Sequence, residues 1–112
     1  MHARLIQVTT KPGHLKDCIK SLVEQGIPIL KQQPGFVDAL ALTPDTERDQ
    51  FVGLTIWKSK EDAERYANGQ ARQVLDSIRP FLQQEPTFRT FNLEASTIHT
   101  IGIGRAASSR QA

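Results

Sequence analysis

FVGLTIWKSKEDAERYA, residues 51–67, reads as a strand that runs into a capped helix. Period-two alternation puts Phe51, Gly53, Thr55 and Trp57 on one face of the strand and Val52, Leu54 and Ile56 on the other. Both faces are largely apolar, so both need cover. Ser59 stands where an N-cap belongs, with Asp62 three residues on as the short acidic arm of a capping box. The helix therefore starts at Lys60.

Upstream and downstream, the chain repeats the same plan. Residues 2–10 are rich in β-branched side chains and predict a first strand, with Arg4, Ile6 and Val8 on one face and Leu5 and Gln7 on the other. Lys11-Pro12-Gly13 is a turn. From Leu15 to Leu30 apolar residues recur at helical spacing for five turns, which predicts one long amphipathic helix. Gly26-Ile27-Pro28 lies inside it. Pro28 lacks a backbone donor and crowds the carbonyl of Glu24, so a kink is expected there. Gln33-Pro34-Gly35 ends the helix, and residues 36–43 predict strand two, with Phe36, Asp38, Leu40 and Leu42 on one face. Residues 44–49 are polar and join two strands as a hairpin. Asn68-Gly69 splits the second helical pattern into a piece ending near Tyr66 and one spanning roughly residues 70–82. Residues 87–95 predict strand four, with Phe88, Thr90 and Asn92 opposite Arg89, Phe91 and Leu93.

The order is β-α-β-β-α-β, an α+β, ferredoxin-like arrangement with a four-stranded antiparallel sheet. Right-handed crossovers put both helices on one face of it. The other face is apolar and bare, which predicts a homodimer packed sheet to sheet, a dimeric α+β barrel. The domain is expected to span residues 1–96. Residues 97–112 read as a C-terminal arm, with Thr97 and Ile98 opening a short extra strand that either adds to a partner's sheet edge or packs on its own subunit, followed by a polar tail.

Bulk properties exclude several classes. The 112 residues make one domain. The net charge is +2, and part of that excess lies in the tail, at Arg105 and Arg110, so no clustered basic stripe points to nucleic acid. No apolar run is long enough to span a membrane. The start, MHARLIQVTT, lacks the apolar run of a signal peptide. Cys18 is the lone cysteine, and a reducing cytoplasm is the expected compartment.

A first strand ending in Lys11-Pro12-Gly13, a Pro34-Gly35-Phe36 entry to strand two, and Trp57-Lys58-Ser59-Lys60-Glu61-Asp62-Ala63 followed by Tyr66 together resemble one family. It is the antibiotic-biosynthesis-monooxygenase-like group of the dimeric α+β barrel superfamily, over about residues 3–95. These motifs are structural, and a shared fold does not carry an activity with it. The resemblance implies a pocket between helices and sheet within one subunit. It also implies small oxygenases without metal or flavin, in which an electron-rich phenol or quinol reacts with oxygen itself. The group includes haem-degrading enzymes as well. That branch uses an asparagine on strand one, a tryptophan on the second helix and a histidine about ten residues later. Here Tyr66 and Asp76 take the latter two places, and strand one offers Leu5 or Gln7. Haem degradation is therefore not expected, and neither is any other cofactor.

Among candidate residues, Tyr66 is a large aromatic with a polar tip on the core-facing stripe, suited to a phenolic ligand or, more plainly, to packing. Gln7, Asn92 and Arg4 are polar groups on strands that need partners wherever they are buried, and each is able to orient a substrate oxygen. Trp57 belongs to the core or to the pocket wall. His14, at a helix start, and His99, in the arm, are the candidate bases. Neither they nor His2 have the spacing of a metal site. Cys18 lies on an apolar stripe with no base in view and reads as packing. Asp76 and Arg79 form an i, i+3 ion pair. Two functions follow: a cofactor-independent monooxygenase acting on a small aromatic or quinol-like molecule, or a non-catalytic small-molecule-binding or stress-response protein of the same fold.

Overall fold

The computed structural model describes residues 1–98. Four strands, β1 (His2–Thr9), β2 (Phe36–Leu42), β3 (Gln50–Trp57) and β4 (Thr87–Asn92), form one antiparallel sheet of order β2-β3-β1-β4. Between β1 and β2 runs a helix in three parts: α1 (Leu15–Ser21), a π-helical turn (Leu22–Gly26) and α2 (Ile27–Lys31). Between β3 and β4 lie α3 (Lys60–Ala67), α4 (Ala71–Ile78) and a 3-10 turn (Arg79–Phe81) that carries Pro80. The expected β-α-β-β-α-β order is present.

The irregularity expected at Pro28 takes the form of a widened turn. The Ile27 N–H donates to the carbonyl of Leu22, five residues back. Pro28 then falls in the first turn of α2, where its missing N–H costs nothing. Gly26 lets this turn press on α4: a Cβ there would lie 3.2 Å from Cγ1 of Val74.

Cross-strand register sorts the side chains. His2, Arg4, Ile6 and Val8 of β1 face the helices together with Phe51, Gly53, Thr55 and Trp57 of β3. Leu5 and Gln7 pair with Leu54 and Val52 on the opposite face. Strand β2 departs from simple alternation. A bulge between Phe36 and Asp38 brings Phe36 opposite Trp57 and Ala39 opposite Thr55. Phe36 thus joins the helix side, not the face of Leu40 and Leu42 as alternation predicts, because the extra residue reverses the pleat. Phe36 meets Trp57 edge to face at 5.7 Å.

The core under the helices has two clusters. One holds Val8, Cys18, Phe51, Ile78 and Leu82, and the other Leu30, Trp57, Ala63, Tyr66 and Val74. Ser59 caps α3 as expected: the Asp62 N–H donates to its Oγ at 3.1 Å. The hydroxyl in turn donates to Asp62 Oδ2 at 2.9 Å, so the short aspartate reaches the cap side chain and not the backbone behind it. Gly35, at φ 78°, closes the preceding turn, and a Cβ there would collide with the Asp62 carboxylate.

The other sheet face has no helix over it among the described residues. Leu40, Leu42 and Phe91 are exposed there. Strand β4 ends at Asn92 and does not reach Ala95, since β1 begins at His2 and leaves only Met1 O to accept from Leu93 N. Thr97 and Ile98 form a turn and not a strand. The rest of the expected arm, with His99 and the tail, lies outside the described residues.

Candidate functional site

Small residues on the helix side of the sheet leave room beneath the helices. Gly53 of β3 and Ala39 and Ala41 of β2 form a low floor, and a cleft of about 790 Å³ opens over it between the two core clusters. Its walls are apolar. Leu22, Val23 and Ile27 come from the π turn and α2, and Val74, Leu75 and Ile78 from α4. The π turn thus carries one wall, and the Ser21 hydroxyl, donating to the Ser77 carbonyl, ties that wall to α4. Such a cleft has the size and lining of a small-molecule site.

Two polar residues of its lining lie near each other. Tyr66 reaches in from α3, and its ring stacks on Trp57 at 4.8 Å between centroids with 26° between planes. Arg4 rises from the central strand β1, its guanidinium carbon 5.8 Å from the Tyr66 ring centroid and 4.6 Å from that of Phe88. Among the described residues no carboxylate pairs with Arg4 and no hydrogen bond occupies the Tyr66 hydroxyl. Trp57 is fully buried, and its Nε1–H donates to Thr55 Oγ1 at 2.9 Å, which fixes the surface on which Tyr66 rests.

Burial dominates the electrostatics of this pair. It pushes the Tyr66 phenol up to about 12, and the nearby Arg4 charge only partly opposes this. Tyr66 is therefore a neutral hydrogen-bond donor at physiological pH. Burial also lowers Arg4 from the usual arginine range, with the interaction with Tyr66 acting the other way. A guanidinium stays protonated under such a shift. The cleft thus holds a half-buried cation.

The remaining candidates are dispersed. Gln7 is exposed on the open sheet face. Asn92, exposed, closes β4 opposite His2, and neither lines the cleft. His14 is at the surface, paired through Nδ1 with Asp17 Oδ2 at 3.3 Å. Asp76 and Arg79 make the expected ion pair, and Arg79 also binds Glu85. Cys18 is buried in the core, its thiol pushed up to about 11 by burial. Sequence reasoning passed over Phe88, which flanks Arg4, and Arg72 of α4, which lines the cleft. The legible signal was Arg4 itself, the charged member of the helix-facing series His2, Arg4, Ile6, Val8.

The donor set does not suit haem iron. No histidine, cysteine or carboxylate lines the cleft among the described residues, so the usual axial histidine or cysteine is lacking there. No group of histidine, cysteine and acidic residues able to hold a metal occurs among them either.

Similar folds are known. SnoaB, a cofactor-independent oxygenase from Streptomyces nogalater, superposes with a TM-score of 0.67 at 14% identity, covering 86% of this chain and 96% of its own. MhuD, a heme-degrader from Mycobacterium tuberculosis solved with two hemes in its active site, gives 0.72 at 17% identity, over 87% and 99% of the two chains. A protein of unknown function from Nitrosomonas europaea gives 0.71 at 18%, over 86% and 91%. At these identities the likeness is one of fold. No protein of curated function matches the sequence significantly. The model of the antibiotic biosynthesis monooxygenase family matches residues 1–91, from β1 almost to the end of β4. By that match the chain belongs to the antibiotic biosynthesis monooxygenase family.

Proposed function

We propose that this protein is a cofactor-independent monooxygenase acting on a small aromatic or quinol-like substrate. The observation that supports it is Arg4, a cation without a carboxylate partner among the described residues, set over the Tyr66 ring in an apolar cleft. A phenol bound with its oxygen at this pair ionises more readily, since the guanidinium and the phenolic donor favour the phenolate over the phenol. Its proton passes to water at the cleft mouth. The electron-rich ring then reacts with dioxygen directly. At a ring carbon that carries two hydrogens in the keto form of the phenol, one oxygen atom becomes a carbonyl. The other leaves as water with both hydrogens. Leu22, Ile27 and Leu75 hold the ring and exclude solvent, which strengthens every charge interaction inside. Trp57 backs Tyr66 and keeps its hydroxyl in place.

The assembly belongs to the same proposal. Leu40, Leu42 and Phe91 on the open sheet face make a surface that a second copy would cover, giving a homodimer with one cleft per subunit. The domain of residues 1–96 then suffices for the site.

A competing reading, a small-molecule-binding protein without turnover, draws on one observation: no histidine or carboxylate lines the cleft as a base among the described residues. Oxygen uptake separates the two. With a panel of quinols and polyphenols, the wild type should consume oxygen saturably and Tyr66→Phe more slowly. Tight binding with no uptake above the buffer rate across the panel would establish the competing reading.

A further inference from the structure

The charge of the cleft is one-sided. Its described lining includes three arginines, Arg4, Arg72 and Arg79, and no aspartate or glutamate. Arg79 is neutralised, since its guanidinium bonds Asp76 Oδ1 at 3.3 Å and both oxygens of Glu85 at 3.0 and 2.9 Å. Arg4 and Arg72 have no carboxylate partner among the described residues. They also differ in setting. Arg4 is half-buried on the sheet floor between two aromatic rings, whereas Arg72 is exposed on the second residue of α4. One cation is placed to act on charge that forms during reaction. The other meets solvent and suits a charge that the ligand already carries.

We propose that the substrate is an aromatic acid: a phenolic or quinol ring whose hydroxyl sits at Arg4 and Tyr66 and whose carboxylate is held at the mouth by Arg72. This rests on the functional reading above and narrows its substrate class. Guanidinium and carboxylate match as a two-pronged pair of charge-assisted hydrogen bonds. With no acid lining the cleft to oppose it, the combined positive potential of Arg4 and Arg72 also draws an anion in and disfavours a cationic ring. An uncharged quinol would leave Arg72 in water, where it contributes nothing to affinity. Apolar walls over the ring explain why the acid must be aromatic or similarly greasy and not a small polar anion.

The test uses a matched pair of probes, 1,4-dihydroxy-2-naphthoic acid and its methyl ester, which differ in the charge. Binding is followed through the fluorescence of Trp57, the sole tryptophan, whose ring stacks on Tyr66. The acid should bind about tenfold tighter than the ester at low salt, and this ratio should shrink as salt rises. In Arg72→Gln the ratio should fall to within about twofold, chiefly through loss of affinity for the acid, because an exposed side chain is replaced without disturbing the core. Equal binding of acid and ester by the wild type, or a ratio that survives Arg72→Gln, overturns the inference. Oxygen uptake is recorded on the same samples. A charge-dependent preference without uptake sinks the oxygenase reading alone, whereas uptake with equal affinities sinks the acid reading alone. Absence of binding of either probe at millimolar concentration overturns both.

Discussion

Replacing Arg4 by methionine should make the protein more stable and less active at once. Arg4 is half-buried, and its charge has no carboxylate partner among the described residues. Taking a guanidinium out of water costs several kcal/mol when no ion pairs with it. The Phe88 ring at 4.6 Å returns about 1 kcal/mol as a cation–π contact, and Tyr66 at 5.8 Å returns less. Residual hydration through the open cleft offsets part of the remainder. Methionine keeps the aliphatic stem against both rings and removes the charge. We expect a gain of about 1 kcal/mol, or about 4 °C in midpoint for a domain of this size. Binding of an ionised phenol should weaken about thirtyfold, since a hydrogen bond to a charged group contributes roughly 2 kcal/mol. Guanidinium chloride unfolding followed by Trp57 fluorescence measures the first quantity, at fixed protein concentration because a dimer links stability to concentration. Ligand titration measures the second. A variant destabilised by more than about 1 kcal/mol that still binds normally would show Arg4 to be structural and not a ligand-binding group.

Tyr66→Phe keeps the stack on Trp57 and removes the hydroxyl alone, so stability should change by less than about 0.5 kcal/mol while turnover falls about tenfold or more, read by unfolding and oxygen uptake. Tyr66 is the sole tyrosine, and phenolate absorbance should show it titrating near 12 in the folded protein. Its folded value lies above the unfolded one, so the stabilisation is complete below pH 10 and is lost as pH rises towards 12. Cys18, raised to about 11, acts in the same direction from pH 9, and its thiol should react with a disulfide reagent only on unfolding. On the open sheet face, Leu42→Glu should convert a sedimenting dimer into a folded monomer, and a wild type that already sediments as a monomer at micromolar concentration contradicts the proposed assembly.

The fold was legible because its decisive signals are local. A strand running into Ser59 and Asp62, a Pro34-Gly35 stop and an Asn68-Gly69 break each act within a few residues. What escaped depends on partners distant in sequence. The bulge between Phe36 and Asp38 has no glycine to announce it, and it is driven by the need to seat Phe36 against Trp57. The π turn was visible as a conflict at Pro28, but periodicity does not tell a kink from a widened turn. Strand β4 ends where β1 runs out of residues to pair with. The candidate site was half legible. Tyr66 lines the cleft together with Arg4. Gln7 and Arg4 looked alike as polar strand residues, and only knowledge of which face the helices cover separates them. The cleft itself comes from what is missing on that face, the side chains of Gly53, Ala39 and Ala41, and no single residue marks such a gap. Arg72 went unremarked because its relation to β1 is purely tertiary.

Isotope incorporation tells direct reaction with dioxygen from mere binding. Purified protein treated with a chelator and shown spectroscopically to be free of flavin is mixed with a quinol substrate under oxygen-18 gas, and the product is weighed by mass spectrometry. The product should carry one labelled oxygen atom per turnover, at a rate that depends on Arg4 and Tyr66. An unlabelled product, or labelling at the rate of the protein-free reaction, would contradict it.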